Sequence, residues 1–92
     1  MPYIKKEQRE RILKEFGHGT KYIVIDAINL SGELNYAITV LLNRWLERNG
    51  VNYTELNMLM GVLECAKLEL YRRIAAPYED EKIQQNGDVY PV

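Results

Sequence analysis

Apolar residues recur along two stretches of the chain at the three- and four-residue spacing that keeps side chains on one helical face. In the first, Leu34, Ile38, Leu41 and Trp45, widened by Ala37 and Leu42, predict a helix over residues 32–48. Ser31 stands where a cap for its first turn is expected, and Asn49-Gly50 supplies a left-handed stop. In the second, Leu56, Leu59, Leu63, Ala66, Leu70 and Ile74 form a stripe over residues 53–76. It is entered at Asn52 with Glu55 three residues on, the spacing of a capping box. Pro77 suits the first turn of a helix better than its interior, so a separate short helix is expected over residues 78–85. Glu79, Asp80 and Glu81 lie near its positive end, Asn86-Gly87 closes it, and residues 87–92 read as an extended tail.

The N-terminal third carries weaker periodicity. Residues 5–16 are rich in helix formers, with Ile4, Ile12, Leu13 and Phe16 as packing candidates, and Gly17-His18-Gly19-Thr20 ends them. "KYIVIDAINL", residues 21–30, is ambiguous: its β-branched run suits a strand, while Ile23, Ala27 and Leu30 keep a helical spacing. The reading leans to a short helix. The fold class that follows is all-α, one domain over residues 1–92, a small helical bundle built on a long antiparallel hairpin of the two strongest helices. Their apolar faces are wider than one partner helix covers, so a homo-oligomer is expected.

The second stripe contains a polar anomaly. At about 100° per residue, Lys67 falls between Ile74 and Met60, with Glu64 and Tyr71 flanking it on the same side. Arg72 points away and Arg73 lies at the opposite margin of the stripe. Three readings are open. Lys67 runs its methylenes along the apolar surface and pairs with Glu64; or the group lines a pocket or seam that holds an anion; or the ion pair only fixes oligomer register. Asn35 sits at the margin of the preceding helix face while Tyr36 points to its polar side, and seven tyrosines against one phenylalanine provide stacking surfaces that also carry hydroxyls.

Composition narrows the chemistry. A formal net charge of −1 disfavours duplex nucleic acid and anionic membranes as bulk electrostatic partners. The charge is uneven: Lys5, Lys6, Arg9, Arg11 and Lys14 outnumber Glu7, Glu10 and Glu15 at one end, while Glu79, Asp80, Glu81 and Asp88 outnumber Lys82 at the other. The single cysteine, Cys65, excludes an internal disulfide and a cysteine-based zinc site, and "MPYIKKEQRER" lacks the apolar segment of a signal peptide, so a cytoplasmic location is expected. Asn52-Tyr53-Thr54 matches a glycosylation sequon but reads as a helix start. His18, the one histidine, lies between glycines, and three consecutive acids fan around a helix instead of converging on a metal. With no phosphate loop, nucleophile elbow or histidine-metal motif, a non-enzymatic protein without metal or cofactor is expected.

Four blocks, "MPYIK", "GELNY" (32–36), "GVLECAKLELYRR" (61–73) and "APYEDEKIQQNGDVY" (76–90), resemble a family of small uncharacterised proteins of tailed bacteriophages and bacteria. The resemblance implies a phage-type accessory protein, a class that includes inhibitors of host anti-phage defence and oligomeric sponges for nucleotide signals. Two expectations follow. The first is a homo-oligomer that sequesters a small anionic, nucleotide-like ligand, with Lys67, Arg72 and Arg73 as charge donors, Glu64 beside them, Tyr36, Tyr71 or Tyr78 stacking and Asn35 hydrogen-bonding. The second is a protein-binding module, or inhibitor of a host protein, that presents a helical face and its acidic "YEDE" segment.

Overall fold

Helices make up most of the chain, and a two-stranded sheet interrupts the all-α expectation. A computed structural model describes residues 1–17 and 19–91. The elements are α1 (Lys6–Ile12), β1 (Leu13–Glu15), β2 (Lys21–Ile23), a 3-10 turn (Ile25–Ala27), α2 (Ser31–Asn49), α3 (Tyr53–Leu70), a π turn (Tyr71–Ala75) and α4 (Ala76–Asn86). Contacts cluster into two compact units, Met1–Val51 and Asn52–Val92. The two long helices expected to form a hairpin, α2 and α3, belong to different units.

In the first unit the helix expected over residues 5–16 ends at Ile12, and the next three residues turn extended. Gly17 and Gly19 adopt positive φ of 62° and 73°, which reverses the chain and brings the β-branched run of 21–24 back alongside. The strands pair antiparallel with Leu13 opposite Ile23, Lys14 opposite Tyr22 and Glu15 opposite Lys21. The Val24 N–H donates to the Ile12 carbonyl at 2.7 Å and the Phe16 N–H to the Thr20 carbonyl at 3.1 Å, extending the ladder at both ends. Helix preference in Leu-Lys-Glu is worth only tenths of a kcal/mol per residue. Pairing with a β-branched partner overrides it. The short helix favoured for residues 21–30 is thereby corrected to a strand followed by one 3-10 turn.

Both long-helix predictions hold in outline. Asn52 caps α3, its side-chain oxygen accepting the Glu55 N–H at 3.0 Å, and Gly50 and Gly87 terminate helices with φ near 90°. The cap of α2 differs from expectation: Ser31 is already its first residue, Leu30 occupies the cap position, and no side chain caps from there. Glu33 instead reaches back from the first turn to the Asn29 N–H, just ahead of the helix. The break expected before Pro77 is also absent. Helix runs without interruption from Tyr53 to Asn86, 34 residues and about 50 Å. Proline cannot donate to the carbonyl four residues back and crowds it. The wide turn at Tyr71–Ala75, where the Ala76 N–H reaches the Tyr71 carbonyl, lies directly before that point.

The core of the first unit is small. Ile12 is fully buried, Glu33 1% and Ala37 6% exposed, where α1 packs on α2 and on the 3-10 turn. Gly32 admits the N-terminal segment so closely that a methyl there would lie 3.1 Å from the Met1 carbonyl oxygen and 3.4 Å from Ile4. Among the described residues no helix is long and apolar enough to cross a membrane. With so few buried side chains, Ile12→Val should remove about 1 kcal/mol. Urea unfolding followed through Trp45, the one tryptophan and a residue of this unit, should show the midpoint falling by about 0.5–1 M.

Candidate functional site

The sequence-predicted cluster is exposed. In the Asn52–Val92 unit, Lys67 Nζ lies 3.6 Å from Glu64, with side chains 72% and 57% exposed. Arg72 reaches Glu69 at 3.0 Å and Arg73 reaches the same carboxylate at 3.6 Å. Each cation is thus answered by an acid one turn away, pairs worth a few tenths of a kcal/mol. Of the three readings of Lys67, the pair with Glu64 is present, with both side chains mostly exposed; the unit is one continuous helix, so a place on its apolar stripe does not entail burial. Tyr71 and Tyr78 are also exposed, with Lys82 Nζ 5.4 Å from the Tyr78 ring centre. Cys65 is a free, exposed thiol on the same helix. Asn35 and Tyr36 belong to the other unit. Asn35 is exposed, and its carbonyl accepts the Thr39 hydroxyl at 2.8 Å, whereas Tyr36 is half-buried beneath the Arg9 guanidinium at 5.5 Å. His18 lies outside the described residues.

A different group of side chains converges within the first unit. Val40, Arg44 and Arg48 follow one another at four-residue spacing along α2, beside a second row of Leu41 and Trp45. Across from them β2 presents Lys21, Tyr22 and Ile23, and Leu13 completes the apolar floor of a groove of about 610 Å³. The Arg48 guanidinium lies over the Trp45 ring at 5.1 Å. Glu47 is the single carboxylate among the lining residues, and its oxygen accepts the Asn43 amide at 2.8 Å. A second groove of about 570 Å³ shares Lys21, Arg44 and Glu47 with the first and extends to Tyr36 and Thr39. Tyr36 is therefore the one sequence-named candidate that lines this region. The sequence pattern does not mark Lys21, Tyr22, Arg44, Trp45 and Arg48 as site residues, because their convergence requires residues 21–23 to be a strand. Arginine, tryptophan and arginine within "RWLER" were the available signal.

Glu33 positions these elements. One carboxylate oxygen accepts the Asn29 N–H at 2.8 Å, reaching back over the start of α2 as a capping glutamate does. The other accepts the Gln8 amide at 2.8 Å and a charged hydrogen bond from Arg11, whose Nε also donates to the Ala27 carbonyl at 3.1 Å. One buried acid thus joins α1, the 3-10 turn and α2. The Asn29 backbone bond, followed by the Arg11 bond, lowers its pKa from 4.5 to about 2, against the opposing effect of burial.

Fold and site together define a small, mostly helical protein with a cation-lined, aromatic-walled groove. Among its described residues no three histidines, cysteines or acids gather as metal ligands would. The chain belongs to the family described as a domain of unknown function (DUF6899), which matches residues 1–89. No match to it is found among curated proteins or among solved structures.

A carboxylate with a depressed folded-state pKa stabilises the fold fully above its ordinary value and progressively less below it. Stability of the first unit should therefore fall as pH drops from about 4.5 toward 2. Glu33→Gln should lower stability at pH 7 and flatten that acid slope, as read from urea unfolding of both proteins at pH 7, 4 and 2.5. An unchanged slope in the variant would locate the acid sensitivity elsewhere.

Proposed function

We propose that the protein is a non-enzymatic binding protein that assembles with copies of itself through the continuous helix Tyr53–Asn86. The observation that carries this reading is the apolar surface the helix leaves open. Leu56 is 44%, Leu63 36%, Leu70 62% and Ile74 63% exposed, and Met60, Val62 and Leu68 are each more than half exposed. Within the Asn52–Val92 unit the helix has no second element to cover it. The stripe from Leu56 to Ile74 is about 27 Å long, so a band about 10 Å wide offers on the order of 300 Å² per copy and two copies bury about 600 Å², the size of a weak, concentration-dependent contact. An identical helix is apolar over the same length and matches it.

Assembly of this kind fits an accessory protein that sequesters or blocks a target. The resemblance of four blocks to small proteins of tailed bacteriophages and bacteria favours that role over a catalytic one, with inhibition of host defence as its target. The exposed acids Glu79, Asp80 and Glu81 next to the stripe suit a rim contact with a basic surface. The nucleotide-sequestering reading loses its support at Lys67, Arg72 and Arg73, whose charges are already paired.

Light scattering on the eluting protein at about 100 µM, a concentration suited to an interface of minimal area, should give a dimer or larger. Leu70→Glu with Ile74→Glu should return it to a monomer with its helical circular dichroism intact, because neither side chain is buried within one copy. A strict monomer for the unaltered protein would overturn self-assembly and leave capture of a foreign protein by the same face.

A further inference from the structure

We propose that the groove between β2 and α2 binds a phosphate-bearing ligand with a flat aromatic ring, a nucleotide. The proposal rests on reading the chain as a binding protein but not on its self-assembly, since every lining residue belongs to the Met1–Val51 unit.

Three cations from two elements meet here: Lys21 from the strand, Arg44 and Arg48 from consecutive turns of the helix. None of the three forms an ion pair with a described residue, in contrast to Lys67, Arg72 and Arg73. The lining carboxylate, Glu47, is bonded to Asn43 and lies on the same helix. Three cations against one lining carboxylate leave a net positive charge, and in a concavity with an apolar floor this attracts an anion more strongly than the same charge on a convex surface. The size, about 610 Å³, falls within the range of small-ligand sites.

The walls narrow the class of anion. Tyr22 and Trp45 are 51% and 37% exposed, with the Phe16 ring centre 5.5 Å from that of Tyr22 and the Arg48 guanidinium over the Trp45 ring at 5.1 Å. A guanidinium held against an indole extends the flat surface offered to a base and keeps its outer edge free for phosphate oxygens. Arg44 and Lys21 then provide the remaining phosphate contacts, one forked and one point-like. An inorganic anion would use the charges and leave the rings idle, whereas an acidic peptide would engage the charges over a length greater than three adjacent cations provide.

Trp45 is the protein's one tryptophan, so its fluorescence reports the site directly. Titration of the full chain with ATP at low salt should quench it saturably, with a Kd on the order of 10 µM for a ligand of this size. Pyrophosphate should bind at least tenfold more weakly and quench little. Lys21→Ala and Arg44→Ala, both at exposed positions, should each weaken ATP about tenfold with unchanged circular dichroism, whereas Lys67→Ala and Arg73→Ala should leave it unchanged. The Leu70→Glu, Ile74→Glu protein should bind ATP as well as the unaltered one, which separates this site from the assembly surface. Absence of saturable binding up to 1 mM by both fluorescence and calorimetry would overturn the proposal. So would equal affinity for pyrophosphate, tighter binding of a poly-glutamate peptide, or indifference to the Lys21 and Arg44 substitutions.

Discussion

A single buried carboxylate organises the N-terminal half of this protein. Glu33 is almost entirely shielded from water, and an ionised acid in that position survives only when its oxygens are fully engaged. A backbone N–H, an amide and a guanidinium satisfy it, and each comes from a different place in the sequence. Because Arg11 also holds the carbonyl of Ala27, the entry to α2, the preceding 3-10 turn and α1 are fixed together. The hairpin that follows α1 is held to the same frame, and with it the groove over α2. Such a site is expensive to disturb: loss of one partner leaves charge without compensation, whereas an exposed ion pair such as Lys67–Glu64 can be lost at little cost.

What the sequence disclosed tracks the strength of each local signal. The stripe from Leu34 to Trp45, the Asn52 cap and the glycine stops at Gly50 and Gly87 act through neighbouring residues, and each appears where the pattern puts it. The strands were hidden because Leu13-Lys14-Glu15 favours helix by itself, and only pairing with residues six to ten positions away decides otherwise. Glu33 stood in the quoted block "GELNY", but its burial depends on α1 folding over it, which no local spacing encodes. The absent break at Pro77 has a similar origin: the rule against interior proline is sound, and a wide turn just upstream relieves it.

The candidate site shows the same division between angle and environment. Helical spacing puts Lys67 among the apolar positions of the stripe, yet an angular position carries no information about depth. The residue types sought for an anion site were nevertheless present elsewhere, in a groove made by a strand that the pattern did not resolve. Charge compensation is the criterion that distinguishes the two places. Lys67, Arg72 and Arg73 each have an acid one turn away, while Lys21, Arg44 and Arg48 form no ion pair with a described residue and outnumber the one carboxylate of their groove.

The π turn has a further geometric effect. Such a turn inserts about one residue into the helical winding, and one residue corresponds to about 100° of rotation. Everything beyond Ala75 is therefore dialled round relative to the azimuth set by Leu56 through Leu70, although the axis continues. The apolar strip consequently does not run on along its own azimuth past the turn, so a straight partner that follows it must end there or bend around the rod.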